Sequence, residues 1–89
     1  MTKSMQSSLG TGKGRKYLPL QDYLRGSGKV RVSLSFDEIA DLVGGLPKSA
    51  LVYREWWANH EGNSQAVGWL GAGYKVDPDQ KHKMALFTK

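Results

Sequence analysis

The N-terminal half of the chain carries apolar residues first at the spacing of a helix and then at the spacing of a strand. Leu20, Tyr23 and Leu24 recur at positions i, i+3 and i+4, which predicts a helix that ends at residues 25–28. Residues 29–35 then alternate with a period of two, which predicts a half-buried strand with a basic outer face. The apolar positions of this strand are Val30, Val32 and Leu34, and its polar positions are Lys29, Arg31 and Ser33.

The second helix has the clearest beginning in the sequence. Ser35 precedes Glu38 by three positions, and such a capping box satisfies two backbone N–H groups reciprocally. Gly44 and Gly45 end the helix, since glycine readily adopts the backbone conformation found there. One apolar stripe lies between these signals, formed by Phe36, Ile39, Leu42 and Val43.

The middle of the chain gives weaker signals. Residues 46–50 are predicted to form a turn and residues 60–63 a loop, because both stretches are rich in turn-forming and polar residues. Leu51–Asn59 fits either a strand or a short helix, since its periodicity does not distinguish the two.

The C-terminal third predicts a helix followed by a β-hairpin. Residues 65–70 fit a helix that Asn63 or Ser64 can cap. Residues 74–76 and 84–88 are predicted to be strands that pair through the polar turn between them.

These elements have the order of a winged helix-turn-helix protein. The sequence therefore predicts an α+β fold with three helices, a small antiparallel sheet and a C-terminal hairpin as the wing. Residues 35–44 would form the supporting helix and residues 64–72 the recognition helix. Residues 45–63 separate them, whereas a compact helix-turn-helix has a turn of about 3–4 residues, so we expect an insertion that carries the tryptophans. We expect a single domain over residues 17–89 and a flexible basic arm over residues 1–16.

The composition excludes several classes of function. The chain has 89 residues, no cysteine and two histidines, which leaves no thiolate chemistry and too few ligands for a metal-dependent enzyme. The loop Asn59–Glu61 is therefore not expected to be a nuclease site. No apolar run is long enough to span a membrane, and the N-terminus lacks the apolar core of a secretory signal. We expect a cytoplasmic, non-enzymatic domain that binds no cofactor, metal or membrane.

Positive charge is concentrated at the N-terminus. The net charge is +5, and residues 1–16 supply +4 of it through four basic residues and no acid. Such an arm commonly contacts phosphates, or it only keeps a protein soluble. Arg25, Lys29 and Arg31 form a second basic group near the first strand. The residues predicted to contact nucleic acid are Lys13, Arg15, Lys16, Arg31, Arg54, Asn59, Ser64, Gln65, Lys75, Lys81, His82 and Lys83.

Several of these residues also have a plainer structural interpretation. Asn59 matches the side chain that reads an adenine edge, but it can equally cap the following turn. Ser64, Gln65 and Gly68 are expected on the polar side of the last helix, where they would approach a groove closely or form an ordinary solvated face. The cations of residues 81–83 would hold phosphate or protect an edge strand from aggregation.

Two adjacent tryptophans are the most unusual feature of the sequence. Trp56 and Trp57 must point in different directions on either a strand or a helix, so we expect one ring in the core and the other partly exposed. An exposed ring could stack on a base or fill a pocket of a protein partner. Tyr53, Trp56 and Trp57 are therefore the candidate partner-binding residues, although Tyr53 and Trp69 also fit core positions.

Two short segments, Leu46–Ala50 (LPKSA) and Trp56–Asn59 (WWAN), carry a family resemblance. With the residues around them, they resemble a family of small uncharacterised bacterial and phage proteins that share LPxSA followed by WWAN, then a helix and a short strand. The resemblance covers nearly everything from Lys16 to Lys89. That family has no established activity, so the resemblance supports the domain boundaries and implies no functional residues.

The leading hypothesis is a small DNA-binding regulator of phage or mobile-element origin that acts on duplex DNA. The alternative is a protein-binding module, such as a phage-encoded inhibitor of a host or defence protein, that uses an exposed tryptophan. The sequence leaves open whether two copies form a homodimer. The DNA hypothesis requires the cations of the arm, the first strand and the hairpin to form one continuous surface after folding.

Overall fold

The computed structural model describes residues 15–89 as an α+β fold with four α-helices and three β-strands. Arg15 and Lys16 form the first described turn, and the rest of the predicted arm lies outside the described residues. Within residues 15–89 no helix is long and apolar enough to cross a membrane. The elements are α1 (Leu18–Ser27), β1 (Arg31–Ser35), α2 (Phe36–Val43), α3 (Lys48–Val52), α4 (Val67–Leu70), β2 (Lys75–Asp79) and β3 (Met84–Thr88), with 3-10 turns at Arg15–Tyr17, Arg54–Trp57 and Ser64–Ala66.

The three strands form one antiparallel sheet in the order β1–β3–β2. The predicted C-terminal hairpin is thus confirmed as β2–β3, and β3 lies in the centre because β1 pairs with its other side. Alternate residues of each strand are buried on one face, where Val32, Phe87 and Val76 share a row. The opposite face remains largely open to solvent.

The two predicted N-terminal helices are both present, with the predicted signals at their ends. α1 has a proline in its first turn and ends at Gly28, whose φ of 65° lies in the left-handed region that favours glycine. At α2, the Ser35 hydroxyl accepts from the Glu38 N–H, and the Glu38 carboxylate accepts from the Ser35 N–H. The capping box is therefore confirmed.

Two short helical pieces, Lys48–Val52 and Arg54–Trp57, lie between α2 and α4, so Leu51–Trp57 is mainly helical and contains no strand. The predicted turn at residues 46–50 is partly wrong, because α3 already begins at Lys48. Tyr53 has the extended backbone of a strand residue, and the chain then continues as the Arg54–Trp57 turn. Two short helical pieces joined at Tyr53 direct neighbouring side chains to different sides, which is why no single period fits the sequence.

Trp57 lies at the centre of the core. Its ring is 1% exposed and stacks against Phe36 and Trp69, with centroids 5.0 and 5.8 Å away. The indole N–H donates to the Ala50 carbonyl over 2.8 Å, so the polar atom of this buried ring is satisfied. Trp56 packs edge-on against Trp57 at 4.7 Å and is only partly buried. The expected division into one core ring and one partly exposed ring is confirmed.

The predicted last helix is shorter than expected and packs inside the molecule. It consists of the Ser64–Ala66 turn and α4, and a Cβ on Gly68 would lie 3.1–3.2 Å from atoms of Leu20 and Tyr17. The Gln21 side chain also donates to the Val67 carbonyl over 2.8 Å. The expectation that Gly68 faces solvent is therefore wrong, since glycine here permits close packing against α1 and its preceding turn.

Candidate nucleic-acid interface

Two basic residues predicted from separate parts of the sequence lie in one row across the sheet. Arg31 of β1 and Lys75 of β2 both pair with Thr88 of the central strand. Directly paired residues of antiparallel strands project from the same face, and both basic side chains are exposed on the open face. From the sequence, Lys75 groups with the cations of the hairpin turn. In the sheet it lies beside Arg31, away from that turn.

Three further cations lie at this end of the sheet. Lys89 follows Thr88, and its N–H donates to the Val30 carbonyl. The carbonyl of Lys29 accepts from the Tyr74 hydroxyl, and the Arg25 guanidinium donates to the Gly71 carbonyl over 3.0 Å. These contacts tie the end of α1 and the start of β1 to the turn before β2. We call this group the basic end: Arg25, Lys29, Arg31, Lys75 and Lys89.

Little negative charge offsets the basic end. Two acids lie near it: Asp22 lines a shallow hollow together with Lys29, and Asp77, two residues after Lys75 on the same face of β2, is already paired with Arg54. Among residues 15–89, none of the five basic side chains forms a salt bridge within 4.0 Å of a carboxylate. The positive potential of this end is therefore available to an external anion.

The cations of the hairpin turn lie at the opposite end of the sheet. β3 rises about 3.3 Å per residue, so Met84 and Thr88 are roughly 13 Å apart, and Lys81–Lys83 precede Met84. His82 lies 2.8 Å from the Asp79 carboxylate, and hydrogen bonds from His82 hold the pKa of Asp79 below its ordinary value. The N-terminus of acidic α2 adjoins this turn, because the Phe36 N–H donates to the Lys83 carbonyl. Positive charge at the hairpin turn is thus mixed with negative charge.

The described part of the arm lies at a third place. The Lys16 ammonium donates to the Val43 carbonyl at the end of α2 over 2.8 Å. Lys16 lies in the turn before α1, whereas the basic end adjoins the last turn of α1, which is about 15 Å long. Lys13 lies outside the described residues. The prediction that arm, first strand and hairpin form one continuous surface is therefore wrong for the described cations, which form three groups.

Arg54 and Asn59 are already engaged with the protein itself. The Arg54 guanidinium donates to the Pro78 carbonyl and pairs with Asp77, both at 2.9 Å. The Asn59 side-chain oxygen accepts from Val76 N–H and Trp69 Nε1, and its amide donates to the Val76 carbonyl. Neither the predicted base contact nor the alternative turn cap describes Asn59, whose side chain takes the place of a neighbouring strand.

The predicted recognition-helix residues are also drawn inward. The Gln65 amide donates to the Trp56 carbonyl over 2.7 Å, and Ser64 is partly buried beside it. Together with the burial of Gly68, these contacts leave no polar helical face for a DNA groove over Ser64–Gly68.

A second surface of interest is apolar. Leu51, Val52 and Tyr53 are consecutive and exposed, Tyr53 by 57%, so the expectation that Tyr53 is a core residue is wrong. Tyr53 and the partly buried Trp56 line a shallow hollow together with Ser49 and Glu55. Trp69 is fully buried, as expected. Burial raises the pKa of Tyr17, whose ring packs edge-on against Trp56.

Sequence reasoning missed Lys89 and left Arg25 and Lys29 out of the predicted site. Only the pairing of the first and last strands, which was not predicted from the sequence, brings the residue after Thr88 beside Val30. Within residues 15–89 no group of three or more His, Cys, Asp or Glu residues is placed to hold a metal ion.

Comparison with known proteins identifies a family for residues 17–85. No curated protein and no solved structure shows significant similarity to the chain. The family model described as "Domain of unknown function (DUF7662)" matches residues 17–85, which begin at the first buried residue of the first turn and end in the central strand. The expected membership of an uncharacterised domain family is confirmed: the chain belongs to the DUF7662 family of unknown function.

Proposed function

We propose that this protein binds nucleic acid, duplex DNA in the first instance, by placing the basic end of its sheet against the phosphate backbone. The observation that carries the proposal is the row Arg31–Thr88–Lys75 on the open face of the sheet, with Lys29 at the same end and Lys89 Nζ beside it over the Tyr74 ring, 5.2 Å from its centroid. Lysine and arginine at such positions bind phosphates by charge and by release of condensed counterions. Thr88 adds a hydroxyl between the two cations, which can donate to a phosphate oxygen.

The proposed contact differs from that of a typical winged helix-turn-helix protein. The order of the elements and the pairing of β1 with β3 are compatible with a winged-helix-like fold in which β2–β3 is the wing. However, Ser64–Gly68 is packed against the rest of the protein, so phosphate contacts from the sheet are better supported than base contacts from a recognition helix. Binding through phosphates alone predicts strong dependence on salt and weak dependence on sequence.

Reversing the two charges of the row should weaken DNA binding. Arg31→Glu with Lys75→Glu removes two phosphate contacts, so the plot of log affinity against log salt should become shallower by about 2. Both side chains are exposed, and the fold should not change. Fluorescence anisotropy with labelled random-sequence duplex DNA at several salt concentrations measures this slope directly.

Lys81→Glu with Lys83→Glu is the matched control. Each substitution of a basic residue by glutamate lowers the net charge by two. Either double variant therefore changes the net charge from +5 to +1 (5 − 4 = 1). We expect the smaller loss from the hairpin-turn variant, because Asp79 and the start of α2 already offset that group. Equal losses would mean that only net charge matters, and absence of affinity in the wild type at the lowest salt would refute the proposal.

The apolar surface supports a second candidate function, protein binding. Three consecutive exposed apolar residues at 51–53 beside a partly exposed tryptophan resemble the aromatic anchors of protein interfaces. Tyr53→Ala should then abolish capture of a protein partner, while Tyr23→Ala, also at an exposed tyrosine, should not. The captured protein would be identified by mass spectrometry and the complex rebuilt from purified components. A partner that binds both variants equally would contradict this use of the surface.

A further inference from the structure

The two outer edges of the sheet differ in whether their outward backbone groups are hydrogen-bonded. On β2 the outward groups are occupied by side chains: Asn59 bonds both the N–H and the carbonyl of Val76, and Arg54 bonds the carbonyl of Pro78. Pro78 has no N–H to leave unpaired. The β2 edge is therefore closed to a further strand, as edge protection requires.

Within residues 15–89 the β1 edge is open. Lys89 N–H donates to the Val30 carbonyl and Phe36 N–H to the Lys83 carbonyl, which fixes the even-numbered residues of β1 as those bonded to β3. The N–H and carbonyl groups of Arg31 and Ser33 consequently point away from the sheet. Both residues are exposed, and no side chain among residues 15–89 bonds these four groups. Such an edge is a template for strand addition.

We propose that two copies of the protein associate through their β1 edges to form a continuous six-stranded antiparallel sheet. With Val32 opposite Val32 of the second copy on the twofold axis, Arg31 lies opposite Ser33 of the other copy in both directions. These two pairs exchange four backbone hydrogen bonds, because in each pair both residues offer an outward N–H and an outward carbonyl.

The same register gives an exposed apolar side chain a place to pack. Val30 is 66% exposed, although the alternation of β1 puts it on the helix-covered face with Val32 and Leu34. The register places Val30 opposite Leu34 of the second copy. Leu34 lines a groove beside the β1 edge whose other walls come from α1 and α2, and which is formed by Tyr23, Leu34, Glu38, Asp41 and Leu42. Each Val30 would thus fill the groove of the other copy.

Charge complementarity supports a second copy as the occupant. The register places Lys29 opposite Ser35 of the other copy, where α2 begins with Asp37 and Glu38. The contact of Val30 with the groove and the contact of Lys29 with the start of α2 each occur twice, because the interface is twofold. The two Arg31 side chains would lie diagonally, roughly 7–8 Å apart, where exposure and salt weaken their repulsion. The closed β2 edge stops further addition, so the assembly ends at a dimer.

Two single substitutions with opposite expectations test this dimer. Val30→Glu places a carboxylate in a groove that already contains Glu38 and Asp41, and should shift the protein to monomer. Val52→Glu is the matched control, since Val52 is 54% exposed and lies on another surface, and it should leave the dimer unchanged. Analytical ultracentrifugation across a concentration series measures the mass, expected to reach twice 9.9 kDa. A short strand edge gives a small interface, so the equilibrium should depend on concentration.

A backbone variant and amide exchange locate the interface. Ser33→Pro removes an outward N–H while leaving the bonds to β3 intact, and it should also give monomer. In concentrated wild type the amides of Arg31 and Ser33 should exchange more slowly than in dilute protein, and this difference should vanish in Val30→Glu. Should Ser33→Pro fail to fold, Val30→Glu and the exchange data decide alone. A wild type that stays monomeric, or a dimer that survives Val30→Glu, overturns the proposal. It does not depend on DNA binding.

Discussion

Replacing Trp57 with alanine should lower the free energy of unfolding by about 3–5 kcal/mol, the range typical of a buried tryptophan. The ring is 1% exposed and stacks on Phe36 and Trp69, so its removal leaves a cavity that these rings cannot both fill. It also removes the indole donor to the Ala50 carbonyl, which keeps only the Gln80 amide at 3.1 Å. Small domains are stable by only about 5–15 kcal/mol, so this loss is a large fraction of the total.

Trp56→Ala provides the comparison for this variant, because it deletes the same atoms one position away. Trp56 is partly buried and packs edge-on at the border of the core, so we expect about half the loss. Thermal unfolding followed by circular dichroism should show Trp57→Ala lower in Tm than Trp56→Ala by roughly 10 °C. Equal losses, or a larger loss from Trp56→Ala, would contradict the placement of the two rings.

The elements of this fold with local signals were predictable from the sequence. The capping box at Ser35 and Glu38 fixes where α2 begins, and the glycine at position 28 marks the end of α1. The two strands of the hairpin follow from alternation and the polar turn between them. In each case the signal lies within a few residues of the element that it specifies.

The features that depend on distant contacts were not predictable. From the sequence, Gly68 looks like a small residue on an exposed helical face. Only the structure shows that Leu20 and Tyr17 lie too close to leave room for a side chain there. From the sequence, Asn59 fits a turn cap or a residue that reads a base. In the structure its side-chain amide instead bonds the backbone at the edge of β2. One sequence does not reveal which distant backbone a side chain will meet.

The basic residues show the same difference between local and distant contacts. The basic group at Arg25, Lys29 and Arg31 was visible in the sequence, and the structure keeps it together. The link from Arg31 to Lys75 depends on both pairing with Thr88, and the exclusion of the hairpin turn follows from the length of β3. Assigning Lys75 by its sequence neighbours alone puts it at the wrong end of the sheet.

Substitution of Asn59 should lower the free energy of unfolding more than most substitutions outside the core, because its side chain bonds the edge strand β2. Asn59→Ala removes the acceptor for Trp69 Nε1 and Val76 N–H and the donor for the Val76 carbonyl. A buried polar group left without a partner costs about 1–3 kcal/mol. Since Trp69 is fully buried, its N–H has little access to water, and we expect a total loss of roughly 2–4 kcal/mol.

Asn59→Asp separates the two kinds of contact, because aspartate keeps the oxygen that accepts from Trp69 and Val76 but turns a second oxygen, instead of a donor, toward the Val76 carbonyl. We therefore expect Asn59→Asp to be less destabilised than Asn59→Ala in chemical denaturation, and the exposed neighbour His60→Ala to stay near the wild type. Amide exchange at Val76 should quicken in Asn59→Ala and change little in Asn59→Asp, since the N–H acceptor survives only in the latter. An alanine variant as stable as the wild type, with Val76 still protected, would show that water replaces the Asn59 side chain and that the β2 edge does not need it.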